Sequence, residues 1–168
     1  MNKYWYGLIC LCILWTACSE RKVDALYYNK AEQVFEISKS SELRYLNEVY
    51  ENILDQNVKS KDGLSVPLEE VRIKLVDDIK IKGTLTPIAV SIKELDGNGH
   101  TIEFDDVTYE IKSFSNDVGL FKCLSNATVK NLVLSGHITI GVQMVEDFYM
   151  ANIGVLAGTF LRGVTSVS

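Results

Sequence analysis

The residues best suited to chemistry lie in one short polar segment, 96–100 (DGNGH). Its side-chain oxygens fall at alternate positions, as they do in calcium-binding loops. An EF-hand loop also needs Gly at its sixth position and Glu at its twelfth, and these positions hold Thr101 and Val107. The sequence therefore predicts a tight turn, in which glycines adopt positive φ and Asp96 bonds its own backbone.

Two further groups of side chains could bind a ligand. Glu103, Asp105 and Asp106 form an acidic group that could accompany a sugar or a cation, but an acidic run of this kind is typical of a solvated face. His100 and His137 each precede an expected strand and have no Cys or His at a metal-ligand spacing. We expect both histidines to be surface turn residues, and we expect no metal site.

The sequence also lacks the motifs of common enzymes and of nucleic-acid-binding proteins. It contains no G-x-S-x-G, H-E-x-x-H or phosphate-loop pattern. The net charge is −5, and the lysines and arginines do not cluster. Phosphate-tracking surfaces depend on such clusters. We expect a protein without catalytic residues, without a cofactor and without a nucleic-acid partner.

The cysteines are unevenly placed. Three of the four lie within the first eighteen residues, so a disulfide framework cannot form inside the folded region. The fourth, Cys123, lies between Phe121 and Leu124 and is expected to be a small buried apolar residue. Lys122 is adjacent in sequence, but in a strand it would point to the opposite face.

The first residues have the pattern of a secretory signal. Lys3 is the one charged residue of this segment, and an uncharged run of 14 residues, 4–17, follows it. A membrane-spanning helix needs roughly 20 apolar residues. We therefore expect a cleaved signal over 1–17 and no transmembrane anchor.

The end of this segment, 14–20 (LWTACSE), resembles the lipobox of bacterial lipoproteins. The resemblance implies that Cys18 becomes the first mature residue and carries the lipid, placing the protein at the outer membrane. The sequence departs from the family at Trp15, where Leu is usual. The alternative is an ordinary secretory signal cut near Ala17. Stable anchoring needs more than one acyl chain, since each buried CH₂ contributes roughly 0.8 kcal/mol.

One helix and many short strands are expected after this signal. Leu43, Leu46, Val49, Tyr50 and Ile53 recur at spacings of three and four, which predicts a helix over 40–55. Either Ser40 or Ser41 could cap it, and Glu42 suits its first turn. Residues 57–67 are expected to form a loop. Beyond Pro67 the apolar residues alternate in short β-branched runs separated by Gly, Asn and Asp, and 143–150 could form a turn or two of helix.

These strands could form a sandwich of hairpins, but the strand starts look alike and favour a stack. Ile102, Val129 and Val164 each take the same place after a turn, so we expect them to stack on one another. Several segments resemble bacterial surface proteins with GLUG repeats: 43–57 (the cap helix), 71–83 (VRIKLVDDIKIKG), 86–88 (TPI), 95–102 (LDGNGHTI), 119–121 with 127–132, and 154–158 (GVLAG, the GLUG motif).

This resemblance covers residues 37–168 and implies a mainly β fold, a right-handed parallel β-helix of a few coils with an N-terminal capping α-helix. We expect a signal over 1–17, a tether over 18–36, the capping helix and loop over 37–66, and coils over 67–168. The coils stop in mid-repeat, which suggests a truncated product or, less strongly, a last strand covered by a partner.

The expected function is that of a non-catalytic adhesin or interaction module on the cell surface. The membrane would be its partner through the lipid on Cys18, and host proteins, surface proteins or glycans would be further partners. Two alternatives remain: a structural fragment of a longer GLUG-repeat protein without activity of its own, and a β-helix protein that binds or degrades carbohydrate.

Overall fold

The protein is mainly β. The computed structural model describes residues 23–52, 54–89, 92–111, 115–142, 150–160 and 166–167. Within these residues one α-helix and fifteen strands occur: β1 Tyr27–Asn29, β2 Val34–Ile37, α1 Ser40–Glu51, β3 Asn57–Lys59, β4 Ser65–Pro67, β5 Arg72–Leu75, β6 Ile79–Thr84, β7 Glu94–Asp96, β8 Thr101–Ile111, β9 Ser115–Val118, β10 Phe121–Leu124, β11 Thr128–Lys130, β12 Val133–Val142, β13 Met150–Ile153, β14 Ala157–Phe160 and β15 Ser166–Val167.

The longest row of strands is almost entirely parallel. Strands β2, β5, β7, β11 and β15 lie side by side, and β1 pairs antiparallel with β2 at one edge. The register aligns one apolar residue from each strand: Phe35, Ile73, Leu95, Val129 and Val167. Phe35, Ile73, Leu95 and Val129 are buried, so this row contributes one side of the core.

The other strands repeat the same order of pairing. We call β7–β10 the middle strand set and β11–β14 the last strand set. Each strand of the middle set pairs in parallel with the strand four places later, so β8 pairs with β12, β9 with β13 and β10 with β14. Strand β6 pairs in parallel with β8, and Ile88 bridges Phe121. The pairing is therefore not that of a sandwich of successive hairpins.

The alternation of apolar and polar residues decides which side chains enter the core. In β6, Ile79 and Ile81 are buried whereas Lys80 and Lys82 are exposed, as the two-residue period predicts. Removal of a Val, Leu, Ile or Phe side chain from water contributes about 1.5–3 kcal/mol. A single apolar cluster contains most of the buried apolar residues of α1 and of the strands.

The predicted helix is confirmed, but it ends at Glu51 and not at residue 55. It begins at Ser40 and has Lys39 at its N-cap, so the prediction of a serine cap is wrong. The carboxylate of Glu42 accepts hydrogen bonds from the backbone N–H groups of Ser38 and Lys39, at 2.7 and 3.2 Å, which is the contribution of the N3 glutamate to a capping box.

One face of the helix packs against the strands. Leu43, Leu46 and Val49 are buried as predicted, while Tyr50 is 44 % exposed and Ile53 lies outside the described residues. The helix contacts β3 and β6. Its buried Asn47 accepts a hydrogen bond from the backbone N–H of Ala89, at 2.7 Å, and donates one to the carbonyl of Pro87, at 3.3 Å.

This side chain therefore replaces a neighbouring strand for the segment around Ile88. On its other side the same segment bonds the backbone next to Phe121, since Ile88 donates to Leu120 and accepts from Lys122. An edge segment whose backbone would otherwise lack partners is thus covered by the amide of Asn47.

Two predicted non-strand regions contain hairpins. Strand β1 and all but the last residue of β2 lie within the predicted tether over 18–36, so that prediction is wrong for 27–36, where Val34 and Phe35 are buried. Strands β3 and β4 form a hairpin inside the predicted loop over 57–67. Val58 is fully buried there, which accounts for the ordered pairing of an otherwise polar segment.

The expected stacking of similar strand starts is also corrected. Ile102 pairs with Leu134 and Ile79, whereas Val129 pairs with Leu95 and Val167, so Ile102 and Val129 belong to different rows. The similar segments around Ile102 and Val129 therefore lie at two different turns, one before β8 and one before β11. Val164 lies outside the described residues.

Near the C-terminus, the segment 154–158 that resembles the GLUG motif lies mostly at a corner between two strands. Strand β13 ends at Ile153 and β14 begins at Ala157. The turn or two of helix expected over 143–150 lies outside the described residues except for Met150, which begins β13.

Candidate interaction surface

The turn predicted at 96–100 is confirmed. Asp96 accepts a hydrogen bond from the backbone N–H of Asn98 at 2.8 Å, and Asn98 and Gly99 have φ of +52° and +81°. Asn131, in the corresponding corner of the last set, also donates to Asp96. Partial burial would raise the pKa of Asp96, but these bonds and Lys130 lower it.

Gly97 is required in this turn for a different reason. Its backbone N–H donates to the carbonyl of Lys130 at 2.8 Å. A Cβ atom at this position would lie 2.4 Å from the carbonyl oxygen of Asn131 and 2.5 Å from the Cα of Leu132. The backbone of Gly97 therefore packs directly against the backbone of Asn131 and Leu132. The carboxylate of Asp96 in the same turn is occupied by hydrogen bonds within the protein.

The acidic group lies against lysines of the preceding strand. Glu103 pairs with Lys80 at 3.0 Å, and Asp105 pairs with Lys82 at 2.9 Å. The hydrogen bond from Lys82 lowers the pKa of Asp105. Asp106 is exposed, has a φ of +52° and lies at an irregularity in the register of β8. The group is a solvated ion-pair face of β6 and β8.

The histidines are placed differently from each other. The Nδ1 atom of His100 lies 3.3 Å from a carboxylate oxygen of Asp78, and that oxygen also accepts the backbone N–H of Thr101. His137 is exposed within β12 and does not precede a strand as expected. In the part of the chain that the structure describes, no group of three or more potential ligands could hold a metal ion.

Cys123 is half-buried, and not fully buried as predicted, whereas Lys122 is exposed on the opposite face. Burial raises the pKa of the Cys123 thiol, and the negative charge of Asp117 adds to this. A thiol with a raised pKa has little reactive thiolate at neutral pH. Cys123 is therefore a packing residue.

An ion-pair row on the main sheet was not predicted from the sequence. The carboxylate of Glu94 lies 3.0 Å from Arg72 and 2.7 Å from Lys130, on the neighbouring strands β5 and β11. Partial burial alone would raise the pKa of Glu94, but the hydrogen bonds from Lys130 and Arg72 lower it. The spacing of these residues could reveal the row only once the register of the strands is known.

Some apolar side chains of the last strand set are more exposed than the residues with which they pair in the middle set. Val118 in β9 is 1 % exposed, and Ile153, which pairs with it one set later, is 62 % exposed. Ile102 is fully buried, while its partner Leu134 is only partly buried. Val129 and Ala157 of the last set are buried, at 1 % and 3 % exposure, and β15 pairs with the strand of Val129.

Strand β12 forms the edge of its sheet among the described strands, since it pairs with β8 alone. Its ten residues, VLSGHITIGV, include no Lys, Arg, Asp, Glu or Pro. Edge strands are ordinarily protected by such residues. Its register with β8 shifts between Gly136 and Ile138, and an irregularity of this kind also protects an edge, so β12 has one of the usual protections although it lacks charged side chains and Pro.

A groove of about 140 Å³ runs beside this edge. Gly136 pairs with Phe104 and has no side chain that could cover the groove at this position. The groove is lined by Phe104, Val118, Gly136, His137, Ile138, Ile140, Ile153, Gly154 and Val155. An apolar cavity of similar size in another protein accepts a benzene molecule. We refer to β12 together with this groove as the end surface.

A larger depression, of about 820 Å³, lies beside the start of α1. Its lining mixes Asp24 and Glu42 with Lys39, Lys61 and Lys80. Glu42 is already bonded to the backbone at the helix start. Because its open lining combines acidic and basic side chains, this depression indicates no particular class of ligand.

The predicted lipidation residue, Cys18, lies outside the described residues. No helix in the described ranges is both long and apolar enough to cross a bilayer. Comparison with family models, with curated proteins and with solved structures found no match in any of the three.

Proposed function

We propose that this protein is a non-catalytic interaction module on the cell surface, anchored at the outer membrane through lipid on Cys18. The observation that carries the interaction is the end surface, where Ile153 is 62 % exposed although its partner one strand set earlier is 1 % exposed. Exposed apolar patches beside a groove are typical of protein-binding sites.

We further propose that the strands are the coils of a right-handed parallel β-helix, as in GLUG-repeat surface proteins. The support is the order of pairing, since each strand of β7–β11 pairs in parallel with the strand four places later. Parallel strands of one sheet are connected almost always in a right-handed sense, which supports the handedness. In this arrangement α1 would be the cap of the first coil.

The anchor is supported by the sequence 14–20 and by the position of the first strand. Residue 27 begins β1, so few residues separate Cys18 from the folded region. An extended chain spans at most about 3.3–3.6 Å per residue. The folded region would therefore stay close to the membrane that holds the lipid.

Metabolic labelling with a palmitate analogue tests the anchor. We expect the wild-type chain to take up label and to fractionate with membranes, and we expect Cys18→Ser to lose both properties. Cys123→Ser is the matched control, because Cys123 is a packing residue of β10 and should leave labelling unchanged. Membrane association of Cys18→Ser equal to the wild type would contradict the proposed anchor.

A further inference from the structure

We propose that Asn98 is a latent deamidation site, which the folded turn keeps unreactive and which reacts once the chain unfolds. Asn98 is the one asparagine of the sequence that precedes a glycine. Glycine has no side chain to shield its backbone nitrogen, so this dipeptide is the one most open to attack on the asparagine side chain. The inference goes beyond the proposed interaction function, because it concerns the turn at 96–100 and not the end surface.

The reaction needs only these two residues and water. The backbone nitrogen of Gly99 forms a bond to Cγ of Asn98 and gives up its proton, while the bond from Cγ to Nδ2 breaks and ammonia leaves. The resulting five-membered succinimide then takes up a water molecule, which breaks either of the two C–N bonds of the ring. The product is aspartate with a normal backbone or isoaspartate, in which the main chain runs through Cβ.

The folded turn holds the two reacting atoms apart. His100 donates its backbone N–H to the carbonyl of Gly97 at 2.8 Å, and Asn98 and Gly99 both have positive φ, at +52° and +81°. These features define a type I′ turn, in which ψ at Asn98 is about +30°. At this ψ the nitrogen of Gly99 lies nearly opposite to Cβ of Asn98 across the Cα–C bond. The succinimide ring requires the two atoms on the same side, so it cannot close unless the turn opens.

Two hydrogen bonds to the strands that flank β7 fix this arrangement. The backbone N–H of Gly99 donates to the carbonyl of Asn131, next to β11, at 2.9 Å, so the attacking nitrogen is engaged. The Nδ2 atom of Asn98 donates to the carbonyl of Leu75, in β5, at 3.3 Å, which holds the side chain on the other side. Asn98 and Gly99 are both exposed. Protection therefore comes from the geometry of the turn and not from the exclusion of water.

The same contacts make the product a poor fit to the turn. A carboxylate at position 98 has no N–H to donate, so it would face the carbonyl oxygen of Leu75 without a hydrogen bond. It would also add a second negative charge to the turn that contains Asp96. Isoaspartate lengthens the main chain where Gly97 already lies against the backbone of Asn131. Deamidation of the unfolded chain should therefore hinder refolding and make unfolding irreversible.

Mass spectrometry of the segment that contains Asn98 tests the protection. The purified full chain is incubated at mildly alkaline pH, folded in buffer or unfolded in urea, and a synthetic peptide of residues 94–101 is incubated in the same two solutions. We expect conversion at Asn98 to be at least about tenfold slower in the folded chain than in the peptide in buffer, because the turn must open first. In urea the chain and the peptide should convert at the same rate. Asn126 and Asn131 precede Ala127 and Leu132, so they are internal controls and should convert more slowly in urea.

Refolding after incubation in urea tests the consequence. We expect the wild-type chain to regain its circular dichroism spectrum less completely as conversion at Asn98 proceeds. Asn98→Gly is the matched control, because glycine accepts positive φ in a type I′ turn and has no side-chain amide, so its refolded yield should not change with time. Asn126→Gly changes an exposed residue that also has a φ of +52°, retains Asn98, and should lose refolding as the wild type does.

The rate comparison uses the wild-type chain alone, so it tests the proposal independently of how any variant folds. Conversion of Asn98 in the folded chain as fast as in the peptide would overturn the protection by the turn. A converted wild-type chain that refolds as completely as the unconverted one would overturn the link to irreversible unfolding. Equal loss of refolding in the wild type and Asn98→Gly would do the same, because the loss would then not depend on Asn98.

Discussion

Replacement of Asn47 by leucine should destabilise the protein through two specific backbone groups. Leucine has a similar volume, so the packing of α1 is largely retained, but the N–H of Ala89 and the carbonyl of Pro87 lose their partner. A buried donor left without a partner costs about 1–3 kcal/mol. The bond to Pro87, at 3.3 Å, is the weaker of the two, so we expect a total of about 2 kcal/mol.

Urea unfolding of the chain from Cys18 onwards, followed by circular dichroism, measures this loss. In thermal unfolding, a loss of about 2 kcal/mol would lower the Tm by roughly 4–8 °C for a domain of this size. Glu51→Leu, at an exposed position in the last turn of the same helix, is the control and should change stability by no more than about 0.5 kcal/mol.

Amide hydrogen exchange at Ala89 gives a local measurement of the same contact. We expect exchange at Ala89 to accelerate in Asn47→Leu more than exchange at Leu95, which lies in the middle of the main row. If the two variants, Asn47→Leu and Glu51→Leu, had equal stability and equal exchange at Ala89, the role assigned to Asn47 would be refuted.

Two further predictions concern the rows of strands. Gly97→Ala should destabilise the chain by about 1–3 kcal/mol in urea unfolding, because its Cβ would overlap the backbone of Asn131 and Leu132; Gly141→Ala, whose Cβ would meet its nearest atom at 3.8 Å, is the control and should be close to neutral. Glu94→Gln should lower stability at pH 7 by about 1–2 kcal/mol, since hydrogen bonds to a charged group are lost. The pKa of Glu94 is lowered in the folded state, so its contribution is present above the unfolded pKa, about 4.3, and disappears as the pH falls through the folded value. The difference in stability between the wild type and Glu94→Gln should therefore shrink below about pH 4. An equal difference at pH 7 and pH 3 would contradict the assignment. Glu69→Gln, at an exposed position, is the control and should differ little from the wild type at either pH.

The sequence was sufficient for the features that depend on local periodicity. The spacing of Leu43, Leu46 and Val49 predicted the face of α1, and the alternation in β6 predicted which side chains are buried. The turn at 96–100 was predicted because Asp, Asn and Gly have distinct local conformational preferences.

Features that depend on register were not predictable in the same way. The resemblance between the segments around Ile102 and Val129 suggested one row, whereas the strands place them in two. The pairing of Glu94 with Arg72 and Lys130, and the bond from Asn47 to Ala89, join residues that are distant in sequence. A one-residue change in register would separate such partners, so composition and spacing alone cannot identify them.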